Sequence, residues 1–158
     1  MKKDNIARAL AGGFFATLLM TLIMYWAPMF GAPKMDIAAL LGSLFGRGVP
    51  AAMTGLWWLG MTWHFIDGTV IFSLIYSYFV YGWLPGDNWL RGTVWGLVLW
   101  LVMEVTLVPI TGGPFDDHAS HAVRLLLAGF ILHAIYGALF GAIAGEQPEH
   151  THHIAHPA

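Results

Sequence analysis

Four apolar runs of roughly twenty residues divide this chain, at about 9–27, 59–83, 90–108 and 123–145. Each is long enough to cross a hydrocarbon layer about 30 Å thick as a helix, which satisfies its own backbone hydrogen bonds where no water can. Polar residues fall mainly between the runs. The last run carries Gly129, His133, Gly137, Gly141 and Gly145 at every fourth position, one winding ridge on a helix. The second repeats the start of this pattern as Gly60, His64 and Gly68, and the strings His64-Phe65-Ile66-Asp67-Gly68 and His133-Ala134-Ile135-Tyr136-Gly137 match in part.

The ends of the first and third runs match as well. Pro28-Met29-Phe30-Gly31-Ala32-Pro33 and Pro109-Ile110-Thr111-Gly112-Gly113-Pro114 are both Pro-x-x-Gly-x-Pro. The pattern therefore predicts two copies of a helical hairpin, helices 1–2 and 3–4, in the same orientation about a pseudo-twofold along the membrane normal. The first copy holds an insertion over 35–46, where Ile37, Leu40, Leu41, Leu44 and Phe45 recur at helix spacing after Asp36, a candidate cap. Too short to span, it is expected as an interfacial amphipathic helix or a lid. Trp57 and Trp58 beyond it read as a headgroup-level belt. Between helices 2 and 3, Leu84-Pro85-Gly86-Asp87 has turn chemistry. On helix 3, Gly92 and Gly96 form a Gly-x-x-x-Gly contact surface, and with Gly129, Gly137, Gly141 and Gly145 they are the candidate packing glycines.

Composition agrees with the pattern. Of 158 residues 58% are hydrophobic and 10% charged, against about 25% charged in an ordinary soluble domain, and mean hydropathy is +0.66. The expectation is an all-α integral membrane protein with one domain over 1–145 and a His-rich tail over 146–158. A net charge of -2 gives no reason to expect a nucleic-acid partner, and the absence of cysteine removes disulfides, thiolate metal sites and cysteine catalysis. Lys2, Lys3 and Arg8 precede a run too long for a signal peptide's apolar region, so it is expected to stay as helix 1. Lys2, Lys3, Arg8 and Arg91 against Lys34, Arg47 and Arg124 favour cytoplasmic N- and C-termini.

Chemistry, if the chain has any, belongs to the ionisable groups inside the spans, which are costly there and tend to mark function. These are His64, Asp67, Glu104 and His133, all on the outer half by their distance from the helix ends. Four readings stay open. His64 and His133 are candidate axial ligands of a b-type haem, since glycines four residues to either side leave room for a ring. His64, Asp67, Glu104 and His133 together are a candidate metal site. The same group could relay protons or hold a polar ligand, with Tyr76, Thr106 and Tyr136 as helpers. The plainest reading is that these side chains hydrogen-bond across the bundle and fix its register. The sequence requires no cofactor. No hydrolytic triad, His-Glu-x-x-His or phosphate loop is present, so catalysis by this chain alone is not expected. Asp116, Asp117, His118 and His121 lie in the loop above, and the tail histidines His150, His152, His153 and His156 would bind metal loosely at best.

A broader similarity rests on Gly13-x-x-Ala16-Thr17 with Met20-Thr21, Asp36-Ile37-Ala38, Trp63-His64-Phe65, Leu84-Pro85-Gly86, Trp89-Leu90-Arg91-Gly92, Pro109 with Gly112 and Phe115, and Leu132-His133-Ala134-Ile135-Tyr136-Gly137. With these the chain resembles a family of small bacterial four-helix membrane proteins of unknown function. The resemblance covers nearly the whole chain. It implies a four-span inner-membrane protein, places His64 and His133 inside the family pattern, and supplies no activity. The expected role is an accessory or assembly subunit of a larger membrane complex, with a respiratory complex foremost, because the small-residue ridges outnumber what four helices need and would suit an integral membrane partner or a second copy. The alternative is a haem- or metal-binding redox or transport protein centred on His64 and His133.

Overall fold

The computed structural model describes residues 3–111 and 119–147. Five helices account for them: α1 (Lys3–Trp26), α2 (Ile37–Gly42), α3 (Gly55–Trp83), α4 (Asn88–Ile110) and α5 (Ala119–Ala144). All but α2 are long and apolar enough to cross a membrane, and there is no strand among the described residues. This is the all-α, four-span architecture that the apolar runs predict. The start of α1, the end of α5 and the Leu84–Asp87 turn lie at one end of the bundle, and the longer connection that holds α2 lies at the other, the far end. The tail over 148–158 and the loop over 112–118 lie outside the described residues, as does the side chain of His121.

α1 stops where Pro28 enters a 3-10 turn, Ala27–Phe30, which Gly31 closes at φ +88°, a left-handed conformation that suits glycine. α3 starts at Gly55, one turn before its apolar run. That start places His64 about 14 Å along the helix. Three π-helical turns, Asp67–Ile71, Tyr76–Val80 and Met103–Leu107, interrupt α3 and α4; no residue pattern announces them.

The spans form a row, with α3 along α1, α1 along α5 and α5 along α4. Backbone contact makes the α4–α5 pair. A methyl group on Gly92 would overlap the carbonyl of Gly137 and reach Gly141 Cα at 2.6 Å, and one on Gly96 would overlap the carbonyl of His133. Gly129 lies under Trp100 and Glu104, Gly145 under the Arg8 guanidinium at φ +61°, and Gly68 against Thr17 of α1. The glycine ridges are thus filled from within the chain.

α3 and α4, at the two ends of the row, barely approach each other as backbones. Near the termini, aromatic side chains fill the space between them. The fully buried Tyr76 ring lies 4.8 Å from Phe140, 5.7 Å from Tyr81 and 6.4 Å from Trp95. Toward the far end no such plug is built, and α2 packs over the opening. α2 buries its small face: Ala38, Ala39, Leu41 and Gly42 are buried while Leu44 and Phe45 beyond it stay exposed. The reason is again close backbone packing, since a Cβ on Gly60 of α3 would overlap the Ala38 carbonyl.

Asp36 ties α2 down. Its carboxylate accepts hydrogen bonds from Ala39 N–H at 3.0 Å, from the Tyr25 hydroxyl at 2.8 Å and from the Trp57 indole N–H at 3.0 Å. Trp57 is therefore 5% exposed and belongs to this clamp, not to a headgroup belt; its neighbour Trp58 is 53% exposed.

Candidate functional site

The site is built on the half of the bundle that lacks the aromatic plug. His133 on α5 is 8% exposed, and its Nδ1–H donates to the Gly129 carbonyl one turn back at 2.9 Å. That bond fixes the tautomer, leaving Nε2 as a lone-pair acceptor. His64 on α3 meets Thr21 of α1, with Nε2 and Oγ1 3.0 Å apart. The Thr21 hydroxyl already gives its one proton to the Thr17 carbonyl at 2.7 Å, so His64 Nε2–H donates and its Nδ1 keeps the lone pair. Both imidazoles consequently offer acceptors on their remaining nitrogens.

The two carboxylates sit in distorted helix. Asp67 opens the first π-turn of α3, whose N–H to C=O bonds skip an extra residue. The neighbouring Gly68 carbonyl receives the Tyr136 hydroxyl at 2.8 Å and the Ser73 hydroxyl at 3.4 Å. Glu104 lies in the π-turn of α4, where its Oε1 and the Trp100 indole nitrogen both rest over Gly129. Such single-turn bulges concentrate at functional sites because they re-aim side chains.

Two adjoining cavities hold the four groups. The first, about 280 Å³, lies beneath α2 and is lined by Met20, Met24, Met35, Met103, Glu104 and His133. The second, about 250 Å³, lies between α3 and α4 and is lined by Trp63, His64, Asp67, Thr106, His133 and Tyr136. Met20, Ile37, Met103 and His133 line both and so form the partition. Thr106 and Tyr136 stand with the site as anticipated, whereas Tyr76 belongs to the aromatic plug.

The cross-bundle hydrogen bonds run His64 to Thr21 and Tyr136 to Gly68; the carboxylates take no part in them. Among the described residues the Asp67 carboxylate receives no hydrogen bond and no ion pair, and no three His, Asp or Glu side chains gather as a metal site. A haem would need Nε2 of both histidines aimed at one ring, and His64 would first have to turn away from Thr21. Sequence reasoning passed over Thr21, Met20 and Met103. The available signal was spacing, since Thr17 with Thr21 and Met20 with Met24 are i, i+4 pairs facing the interior of α1.

No curated protein and no solved structure matches this chain. One family model does, over residues 3–155, and it takes in α1 to α5 and every residue of the two cavities: the chain belongs to DUF6789, a family of unknown function.

Proposed function

We propose that this is an intramembrane binding protein, holding a small cationic or proton-bearing ligand in the paired cavities between α1, α3, α4 and α5. The observation that carries this reading is the state of the carboxylates. Asp67 and Glu104 are half-buried within the apolar spans, beside the cavities and outside the cross-bundle hydrogen bonds, although a charge at such a place is costly. With His64 Nδ1 and His133 Nε2 also presenting lone pairs, the site is a set of acceptors. Such a set asks for a donor or a cation. Neither Lys nor Arg enters the second cavity, and only Lys34, at the far end of the first, approaches.

An accessory or assembly role in a larger complex, respiratory or otherwise, drew its physical ground from surplus small-residue ridges. The occupation of those ridges within the chain leaves that role with less support than ligand binding. The reading includes an inner-membrane location with cytoplasmic termini, supported by the four basic residues Lys2, Lys3, Arg8 and Arg91 on the terminal side of the sequence against Lys34, Arg47 and Arg124 on the other.

A membrane-soluble carbodiimide tests it. Asp67 and Glu104 are expected to be modified in intact membranes, located by peptide mass spectrometry, and Asp67→Asn and Glu104→Gln to melt at or above the wild-type temperature. Carboxylates that resist the reagent, together with variants that lose the roughly 1–3 kcal/mol of a broken buried hydrogen bond, would return them to a structural role.

A further inference from the structure

The partition between the cavities carries a more specific assignment, which rests on the binding reading above. Its polar members are Met20 of α1, Met103 of α4 and His133 of α5. Three donors from three helices therefore border the boundary between the two cavities, two of them thioethers and one an imidazole whose tautomer is already set. Nδ1–H of His133 is tied to the Gly129 carbonyl, the outer-sphere arrangement that metal-ligating histidines use to aim Nε2 and raise its basicity.

We propose that Met20, Met103 and His133 form a site for a soft monovalent metal ion, Cu(I). Thioether and imidazole donors select Cu(I) over harder divalent ions, and the neutral donors add no charge. Glu104, in the same cavity, sets a carboxylate beside the bound cation, which matters where dielectric screening is weak. A hard divalent ion finds no cluster of three His, Asp or Glu among the described residues.

The approach to the site has the same chemistry. Met35 lies beside α2 at the far end, Met24 two residues from the end of α1, and Met20 about 6 Å deeper. All three line the first cavity, so four of the eight methionines in the chain, with Met103, border this one space. Methionine also fills irregular gaps without binding anything. The two roles differ in what happens when sulfur is replaced at constant volume.

The test is an anaerobic titration of the full-length detergent-solubilised protein with Cu(I), in competition with a chromophoric Cu(I) chelator, alongside X-ray absorption at the copper edge. Wild type should withdraw one equivalent with sulfur in its coordination shell. Met20→Leu and Met103→Leu, both near in volume to the original, should each weaken that equivalent by at least about tenfold and remove sulfur scattering, while Met53→Leu, outside both cavities, leaves it unchanged. Copper on the tail histidines is common to all variants and cancels. Bound Cu(I) should also shield Glu104 from the carbodiimide more than Asp67. Equal retention by wild type and the Met20→Leu/Met103→Leu double variant overturns the copper assignment. If the carbodiimide still reaches Asp67 and Glu104 in that case, the binding site stands with another ligand; if it does not, both conclusions fall.

Discussion

Substituting Gly137 by alanine probes the contact on which the placement of His133 depends. Its new Cβ would overlap the Gly92 carbonyl oxygen and lie 2.9 Å from both Gly92 C and Thr93 Cα. All three are backbone atoms, which no rotamer change can move, so α4 and α5 must separate. Overpacking of this kind costs about 1–3 kcal/mol, and the better helix propensity of alanine offsets about 0.5–1 kcal/mol. The expected net loss is about 1–2 kcal/mol, or roughly a five- to thirtyfold shift toward the unfolded state. SDS titration in mixed micelles, followed by circular dichroism, measures it. Gly55→Ala is the control, because nothing lies within 4 Å of its Cβ position; it should unfold at or above the wild-type midpoint. If Gly137→Ala unfolds together with Gly55→Ala, the backbones of α4 and α5 are not in contact and the partition at His133 is not built as described.

Two further outcomes are expected. Asp36→Ala removes the acceptor of Tyr25, Trp57 and Ala39 and should cost about 1.5–3 kcal/mol in the same titration; an unchanged midpoint would mean that α2 is held by apolar packing alone. Because the chain has no cysteine, Ser120→Cys provides a single thiol. A membrane-impermeant maleimide should reach it from the periplasmic face, and labelling from the cytoplasm alone would invert the proposed orientation.

Much of the architecture is legible in the residues. Hydrocarbon solvent forces a spanning helix to be apolar over its whole length, so the number and approximate limits of the spans follow from composition along the chain. The i+4 glycines announce close helix contacts for a similar reason, since a missing side chain is visible wherever it falls. His64, Asp67, Glu104 and His133 are visible because charge and imidazole are rare in such a background.

Several things depend on which helix meets which. The sequence offers the glycine ridges to any neighbour, and only the α3–α1–α5–α4 row shows that this chain fills them itself. It marks Trp57 as an aromatic near an interface, but its bond to Asp36 requires two segments folded onto each other. π-turns at Asp67 and Met103 are backbone events set by tertiary strain and hydrogen bonding, which leave no residue code. The two cavities are decided last. They exist because Tyr76, Trp95 and Phe140 close the gap between α3 and α4 at one end while nothing comparable among the described residues does so at the other. Periodicity assigns a residue to a face of its own helix; the empty space between faces is a property of the whole bundle, and that space is what turns Met20, Met103 and His133 from three separate positions into one site.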